Sequence, residues 1–370
     1  MDRVAVVGAG PIGLTAALEL AALEIPSVVL EAKPALEPVG SRAIVLAHDA
    51  LATFARLGCE EIPRKGVRLT RARTYLGETE LFAREFPPAL PDGVPTFVNL
   101  QQTHTERALL RRADENDLVE VRFGSAVTGL RHDTSSVTLE LEHGDEITAA
   151  YVIAADGAHS TVRKLLGVEF PGKSFNDRFL IADIRAELPF PRDERRFYFD
   201  PPSNPGRQIL IHPQPDGEWR IDWQVPPETD PDEGLDERIR ALVGDTPYEL
   251  VWLTSYRFHS RLASRFRVGR VCLAGDAAHL MAPFGARGMN SGVEDATTVA
   301  HAISTGDVDP YEAERRPAAI ENLRITGATM RFMAPPTPVH RLWRNAILRG
   351  SVRVPPLRRF VNSGKLPTPR

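Results

Sequence analysis

Cysteine is almost missing. The 370 residues hold two, Cys59 and Cys272, with no C-x-x-C pair and no histidine cluster at ligand spacing. That excludes a disulfide framework, a zinc site and a redox dithiol, and no metal is expected. There is no surplus of one charge either: 45 Lys and Arg against 49 Asp and Glu leave a formal −4, so no global field draws nucleic acid to the protein. No apolar run reaches the roughly 18 residues that a spanning helix needs. The N-terminus enters a strand pattern at once, without the basic segment and apolar core of a signal peptide. The expectation is a cytoplasmic protein with no membrane span and no nucleic-acid partner. The length suits two domains with a cleft between them.

Glycine sits where chemistry would need it. "VAVVGAGPIGL" at 4–14 is a short apolar run, a turn with Gly8, Gly10 and Gly13 in G-x-G-x-x-G spacing, and the start of a helix on Leu14, Ala17, Leu18 and Ala21. "SVVLEAK" supplies the next strand and ends at Glu31, about 18 residues after Gly13. This is a βαβ unit that offers a dinucleotide a tight turn, a close backbone approach, a helix N-terminus for the pyrophosphate and a carboxylate for a ribose.

Further along, Thr103 and Glu106 in "THTERALL" have capping-box spacing, which predicts a helix starting there. Alternating strands follow from Val119, and "YVIAA" at 151–155 is continuously apolar, as a buried strand is. From Lys173 to about Arg261 proline and aromatics increase and "RQILIH" and "WRIDWQV" alternate, which predicts a mostly antiparallel sheet. "RVCLAGD" at 270–276 returns to a buried-strand pattern. After it, Val293, Ala296, Val299 or Ala300, and Ile303 share one helical face, so a helix is expected from about Gly288 to Ser291.

Three separated stretches taken together carry a family likeness. "GAGPIG", "VIAADGAHSTVRKLLG" and "RVCLAGDAAHLMAPFGARGMNSGVEDA" resemble, in order, the motifs of the single-component flavoprotein hydroxylases, the family of para-hydroxybenzoate hydroxylase. "GSRAIVL" with Arg42 and "NLQQTHTERAL" with Gln102, or Gln101 in the alternative register, are similar to FAD-contacting segments of that family. The resemblance implies an α/β fold with a discontinuous Rossmann-like FAD-binding domain, a smaller, mostly antiparallel β-sheet substrate domain and C-terminal helices, without a thioredoxin-like third domain. The boundaries expected are 1–70, 100–172 and 262–335 for the FAD-binding domain, 71–99 and 173–261 for the substrate domain, and 336–370 for a basic helix and tail.

The cofactor contacts it implies begin with Gly8, Gly10, Pro11, Ile12 and Gly13, then Glu31, Ala32, Arg42 and Gln102. They continue with Asp156 and Gly157, Gly275 and Asp276, and finally Pro283, Gly285, Gly288, Met289 and Asn290. Asp276 would bind the ribityl chain, and Pro283 would lie beside the flavin. No second G-x-G-x-x-G with an acidic partner occurs, so NAD(P)H is expected as a transient co-substrate, with NADH or NADPH open.

The implied activity is hydroxylation of a phenolic or polyketide-like aromatic with NAD(P)H and O2 through a flavin C4a-hydroperoxide. Epoxidation, Baeyer-Villiger oxidation and reduction or dehydrogenation are the alternatives on one scaffold; a non-catalytic FAD-binding protein is the alternative of another class. A homodimer is compatible. On the substrate side the residues alone nominate Tyr198 and His212 to polarise a phenol. "WRIDWQV" has Trp219, Ile221, Trp223 and Val225 on one face and Arg220, Asp222 and Gln224 on the other, and one of the two is a candidate cavity roof. Arg287 stands where many relatives have Gln; facing the flavin or substrate, its fixed cation would favour anionic reduced flavin or an acidic substrate group, and facing solvent it would do neither. "DGAHS" brings Ser, His and Asp together but lacks the G-x-S-x-G elbow of a hydrolase.

Overall fold

A computed structural model of the chain describes residues 3–36, 44–335 and 337–363. Two sheets organise it. The first runs in the order Arg267–Val268, Val271–Leu273, Tyr151–Ala154, Val4–Val7, Ser27–Leu30 and Val119–Arg122. Its strands pair in parallel, with Val4 level with both Tyr151 and Ser27, and only the edge strand Arg267–Val268 runs antiparallel. Val4–Val7, Ser27–Leu30 and Tyr151–Ala154 are buried at every position, which is why they read as continuous apolar runs rather than alternations.

The turn from the first strand into helix Pro11–Ala22 depends on its glycines. Gly8 has φ +105°, and a Cβ there would press on the Ala155 carbonyl; a Cβ on Gly13 would overlap the Gly8 carbonyl oxygen. Only glycine allows that strand, turn and helix to close on each other. Pro11 takes the first helical position, where a missing N–H costs nothing. The helix packs on Arg287–Thr305, so the two glycine-rich stretches, nearly three hundred residues apart in sequence, become neighbours.

The second sheet has eight strands, ordered His279–Leu280, Tyr248–Leu262, Gly172–Ala186, Glu218–Val225, Gln208–Pro213, Glu194–Phe199, Arg71–Leu76 and Thr79–Glu85. All its pairings are antiparallel except the parallel one between Glu194–Phe199 and Arg71–Leu76. One face is a core of Trp219, Ile221, Trp223, Val225, Leu180 and Ile184 under Ile239 and Val243 of helix Leu235–Val243. Complete burial of such a side chain stabilises the fold by roughly 1.5–3 kcal/mol, so this face holds the sheet and its helix together.

Two local expectations shift. The helix expected at Thr103 spans Gln102–Asp114 with Gln101 at its N-cap and no side-chain cap. Thr103 lies inside the first turn, and Gln102 instead donates to Glu106 at 2.8 Å, an i,i+4 pair on the helix surface. The helix expected from Gly288 to Ser291 starts at Arg287 and ends at Thr305. Helices Pro338–Ser351 and Pro355–Ser363 form the basic C-terminal segment.

Candidate active site

A cavity of about 510 Å³ is lined from both sheets, and it runs from the N-terminal glycine turn to the polar face of the second sheet. At its first end lie Gly10, Pro11 and Ile12, and across from them Glu31 and Gln102. A Cβ on Gly10 would meet nothing within 4 Å, so the backbone here borders open space. Glu31 is fixed by the chain that precedes and follows it, accepting from Ala9 N at 2.8 Å and Lys33 N at 3.1 Å. Of the two adjacent glutamines, Gln102 lines the cavity, whereas Gln101 turns into the protein and donates to Glu218 at 2.6 Å. Gly8 and Gly13 lie behind the lining as packing residues. Ala32 also lies outside the lining, and Arg42 falls outside the described residues.

Gly157 lines the cavity, but the Asp156 carboxylate turns away and accepts from Val162 N at 3.0 Å at the start of helix Thr161–Leu165, where Ser160 caps Arg163 N at 3.0 Å. Arg163 then donates to Ala277 O at 2.9 Å and Ala158 O at 3.0 Å, tying this segment to the turn that carries Gly275 and Asp276. Both of those residues line the cavity.

Beneath that turn is a buried network that sequence reasoning missed. Asp295 accepts from Gly275 N at 3.1 Å, His279 Nε2 at 2.6 Å and Arg315 Nε at 2.8 Å. Burial pushes the Asp295 carboxyl up, and His279 and Arg315 outweigh it, holding the group below its ordinary value. A fixed anion therefore braces the turn from below. The signal was present as a carboxylate on the otherwise apolar helix face of Val293, Ala296 and Val299.

Pro283, Gly285, Arg287, Gly288 and Met289 bring the lining around to the first turn of helix Arg287–Thr305. Its free N–H groups give that end of the helix a partial positive charge. Ala286 precedes it at φ +55°. Arg287 is both a lining residue and a tether, donating to Asn322 Oδ1 at 2.6 Å; burial pushes its guanidinium below the ordinary value. Asn290 serves the scaffold: it accepts from Ala47 N at 2.9 Å and donates to Val45 O at 3.1 Å, which fixes the loop to a neighbouring strand, and it is not a lining residue.

The far end is walled by aromatic rings. Phe179 packs on Phe258 with centroids 4.8 Å apart and on Phe284 at 5.7 Å, and Phe197 and Leu210 continue the wall. The strand nominated as a roof contributes, with its polar face inward: Arg220 and Asp222 line the cavity while the tryptophans pack on the helix behind. Tyr198 is displaced by the same alternation. Phe197 faces the cavity, so Tyr198 faces the other side and stacks on Tyr75 with centroids 4.5 Å apart.

His212 is 5% exposed and lines the cavity. It lies directly across the sheet from Arg220, with Leu210 across from Asp222. Its Nε2 is 3.8 Å from Asp222 Oδ2, too long for a hydrogen bond. Its Nδ1 and the other Asp222 oxygen have no partner among the described residues. Burial first, then Arg195 and Arg220, pushes the imidazole down to about 3. Burial raises the Asp222 carboxyl to about 7, with Arg220 opposing and Asp183 adding. Arg220 itself is bound bidentately by Asp183 at 2.7 and 2.6 Å.

A cavity lined by the Gly10 to Ile12 turn, the Glu31 carboxylate and the first turn of helix Arg287–Thr305 suits an extended dinucleotide. A family model described as an FAD binding domain matches residues 1–326. The chain belongs to that family. Among its relatives, a para-nitrophenol 4-monooxygenase of Pseudomonas sp. strain WBC-3 is 30% identical over 94% of this chain and 91% of its own. A rifampicin monooxygenase of Streptomyces venezuelae is 33% identical over 92% of this chain and 74% of its own. Several hydroxyphenylpropionate hydroxylases match over about two thirds of their length; one from Mycolicibacterium smegmatis is covered to 66%.

The crystal structure of p-nitrophenol 4-monooxygenase from Pseudomonas putida DLL-E4 superposes with a TM-score of 0.85 at 28% identity, over 98% of both chains. A ternary complex of aklavinone-11 hydroxylase with FAD and aklavinone gives a TM-score of 0.74 at 26% identity, over 90% of this chain and 70% of that one. This FAD-binding family member is a flavoprotein monooxygenase. No helix among the described residues is long and apolar enough to cross a membrane.

Proposed function

We propose that this monooxygenase hydroxylates a phenolic ring held in the aromatic-walled end of the cavity, with NAD(P)H and O2 as co-substrates. The observation that carries the reading is continuity: the groove that suits FAD opens without a break onto a wall of Phe179, Phe197 and Phe284 and onto Asp222 and His212. The names of the relatives, which act on nitrophenol and hydroxyphenylpropionate, agree with it.

Bound FAD supplies the electron transfer and oxygen activation. Glu31, Gln102 and Asp276 would hold the cofactor, and the positive end of helix Arg287–Thr305 would stabilise negative charge on it. The apolar wall excludes water and fixes the phenol in one orientation.

Asp222 accepts the phenolic proton, because a carboxyl with a pKa of about 7 is a base matched to neutral pH. His212 stays neutral and lends a hydrogen bond to the phenolic oxygen. Loss of that proton makes the ring electron-rich, as attack on an electrophilic oxygen requires. Pro283 lines the same cavity and would border the bound cofactor. We read the first sheet and its helices as the cofactor layer and the second sheet as the substrate layer.

The test is NAD(P)H oxidation by the FAD-loaded protein with phenols and their methyl ethers. Phenols are expected to accelerate it and the ethers not to. Equal acceleration by both would remove the proton-acceptor role.

A further inference from the structure

On the polar face of the second sheet, Arg195 is a cation without a carboxylate partner among the described residues. Register across the strands sets Arg220 level with His212 and with Asp183, and Arg196 level with Ile211. Continuing that register, Arg195 follows His212, so one row across the sheet reads Arg195, His212, Arg220, Asp183. Arg220 is neutralised by its bidentate Asp183.

Arg195 differs from its neighbours. Arg196 pairs with Glu194 at 2.6 Å, and Arg73 reaches the same carboxylate at 2.6 Å. Among the described residues Arg195 has no carboxylate partner, and its Nε is buried with no hydrogen-bond partner. Beside it are Phe197 and Phe86, with centroids 5.6 and 5.9 Å from its guanidinium carbon, and a second cation, Arg84, packs on the same Phe86 ring. It lines the cavity beside His212, whose buried Nδ1 is also unpartnered. With the unpartnered Asp222 oxygen these make three unsatisfied polar groups at one cavity, which is costly to the fold unless a ligand completes them.

We propose that Arg195 and His212 together bind an anionic oxygen substituent on the aromatic substrate, a ring carboxylate or a phenolate, and that Arg195 sets a preference for acidic over neutral aromatics. The guanidinium supplies the charge and a planar donor fork. The imidazole, kept uncharged between two guanidiniums, supplies a neutral donor that adds no competing cation. The neighbouring rings of Phe197 and Phe86 hold the arginine head and keep water out, which strengthens the pairing. The inference rests on reading the cavity as the site of an aromatic substrate.

Asp222 lies 3.8 Å from His212 and competes with an anion once ionised, so the experiment titrates the FAD-loaded protein at pH 6, below the Asp222 pKa of about 7. It uses two matched pairs, benzoate against benzamide and 4-nitrophenol against 4-nitroanisole, following the flavin absorbance and repeating the nitrophenol pair up to pH 8. At least one anion is expected to bind about tenfold or more tightly than its neutral partner, as a charge-assisted hydrogen bond out of water implies. A benzoate preference identifies a carboxylate, and a nitrophenol preference that follows the phenol's own ionisation identifies a phenolate. Arg195→Met should bring the ratio to about twofold or less with FAD content and neutral-ligand binding unchanged, and Arg195→Lys should keep part of it. The proposal is overturned by a wild-type protein that discriminates in neither pair, or by an Arg195→Met protein that retains the ratio. If no aromatic perturbs the flavin or accelerates NAD(P)H oxidation, the proposed function itself fails and this inference falls with it. Neutral aromatics that bind and turn over without any anion preference overturn this inference alone.

Discussion

Replacing Asp222 by Asn separates the carboxyl's cost to the fold from its use in the site. Its pKa rises from 3.8 to about 7 on folding, so the folded protein holds the proton more tightly than the unfolded chain. Such a group loses stability as pH climbs through the interval between the two values and leaves the full deficit above it. At 1.36 kcal/mol per pKa unit the deficit at pH 8 is about 4 kcal/mol. Asn keeps the shape and cannot ionise, so Asp222→Asn should be more stable than the parent at pH 8 by on the order of 2–4 kcal/mol.

That advantage should shrink by more than half at pH 5. His212 works in the opposite sense: its pKa falls to about 3 on folding, so its contribution grows as pH rises from about 3 to 6.5. In the parent the two slopes oppose each other; in the variant only the His212 slope remains. The assay is denaturant unfolding at saturating FAD across this range. Substrate-stimulated turnover should fall by about a hundredfold as the proton acceptor disappears. A variant that is less stable at pH 8, or whose advantage is the same at pH 5 and pH 8, would refute the reasoning.

Other outcomes follow from the same structure. Trp223→Ala should destabilise the protein by about 3–5 kcal/mol, read as a lower denaturation midpoint, because the ring is 1% exposed in the second sheet's core. Asp276→Ala should weaken FAD retention on gel filtration without unfolding the chain; full retention of normally reducible FAD would remove the role assigned to this carboxylate.

What the sequence made legible was local. Gly8, Gly10, Gly13 and Glu31 sit within one βαβ unit, and their spacing already implies the geometry. The Gly275 to Asn290 stretch was legible as a second glycine-rich loop, and it lines the same cavity as the first, although the sequence did not show that Asn290 would fasten the loop to Val45 and Ala47. In the second sheet, periodicity separated the two faces of "WRIDWQV" without saying which looked inward. The helix Leu235–Val243, ten residues on, decided it by covering the tryptophans.

The same parity, one residue wide, turned Tyr198 away and Phe197 in. The row of Arg195, His212, Arg220 and Asp183 comes from four strands whose pairing no single stretch encodes. A register between strands sets it, and register depends on tertiary packing. Arg195 was passed over because, in sequence, it is one arginine of an adjacent pair.

The most direct measurement is the mass of the product formed by the purified, FAD-loaded protein from a phenol and NAD(P)H under 18O2. One labelled oxygen on the ring is the expected result. NAD(P)H consumption that yields only peroxide, or a product that carries no label, would contradict hydroxylation as the function of this site.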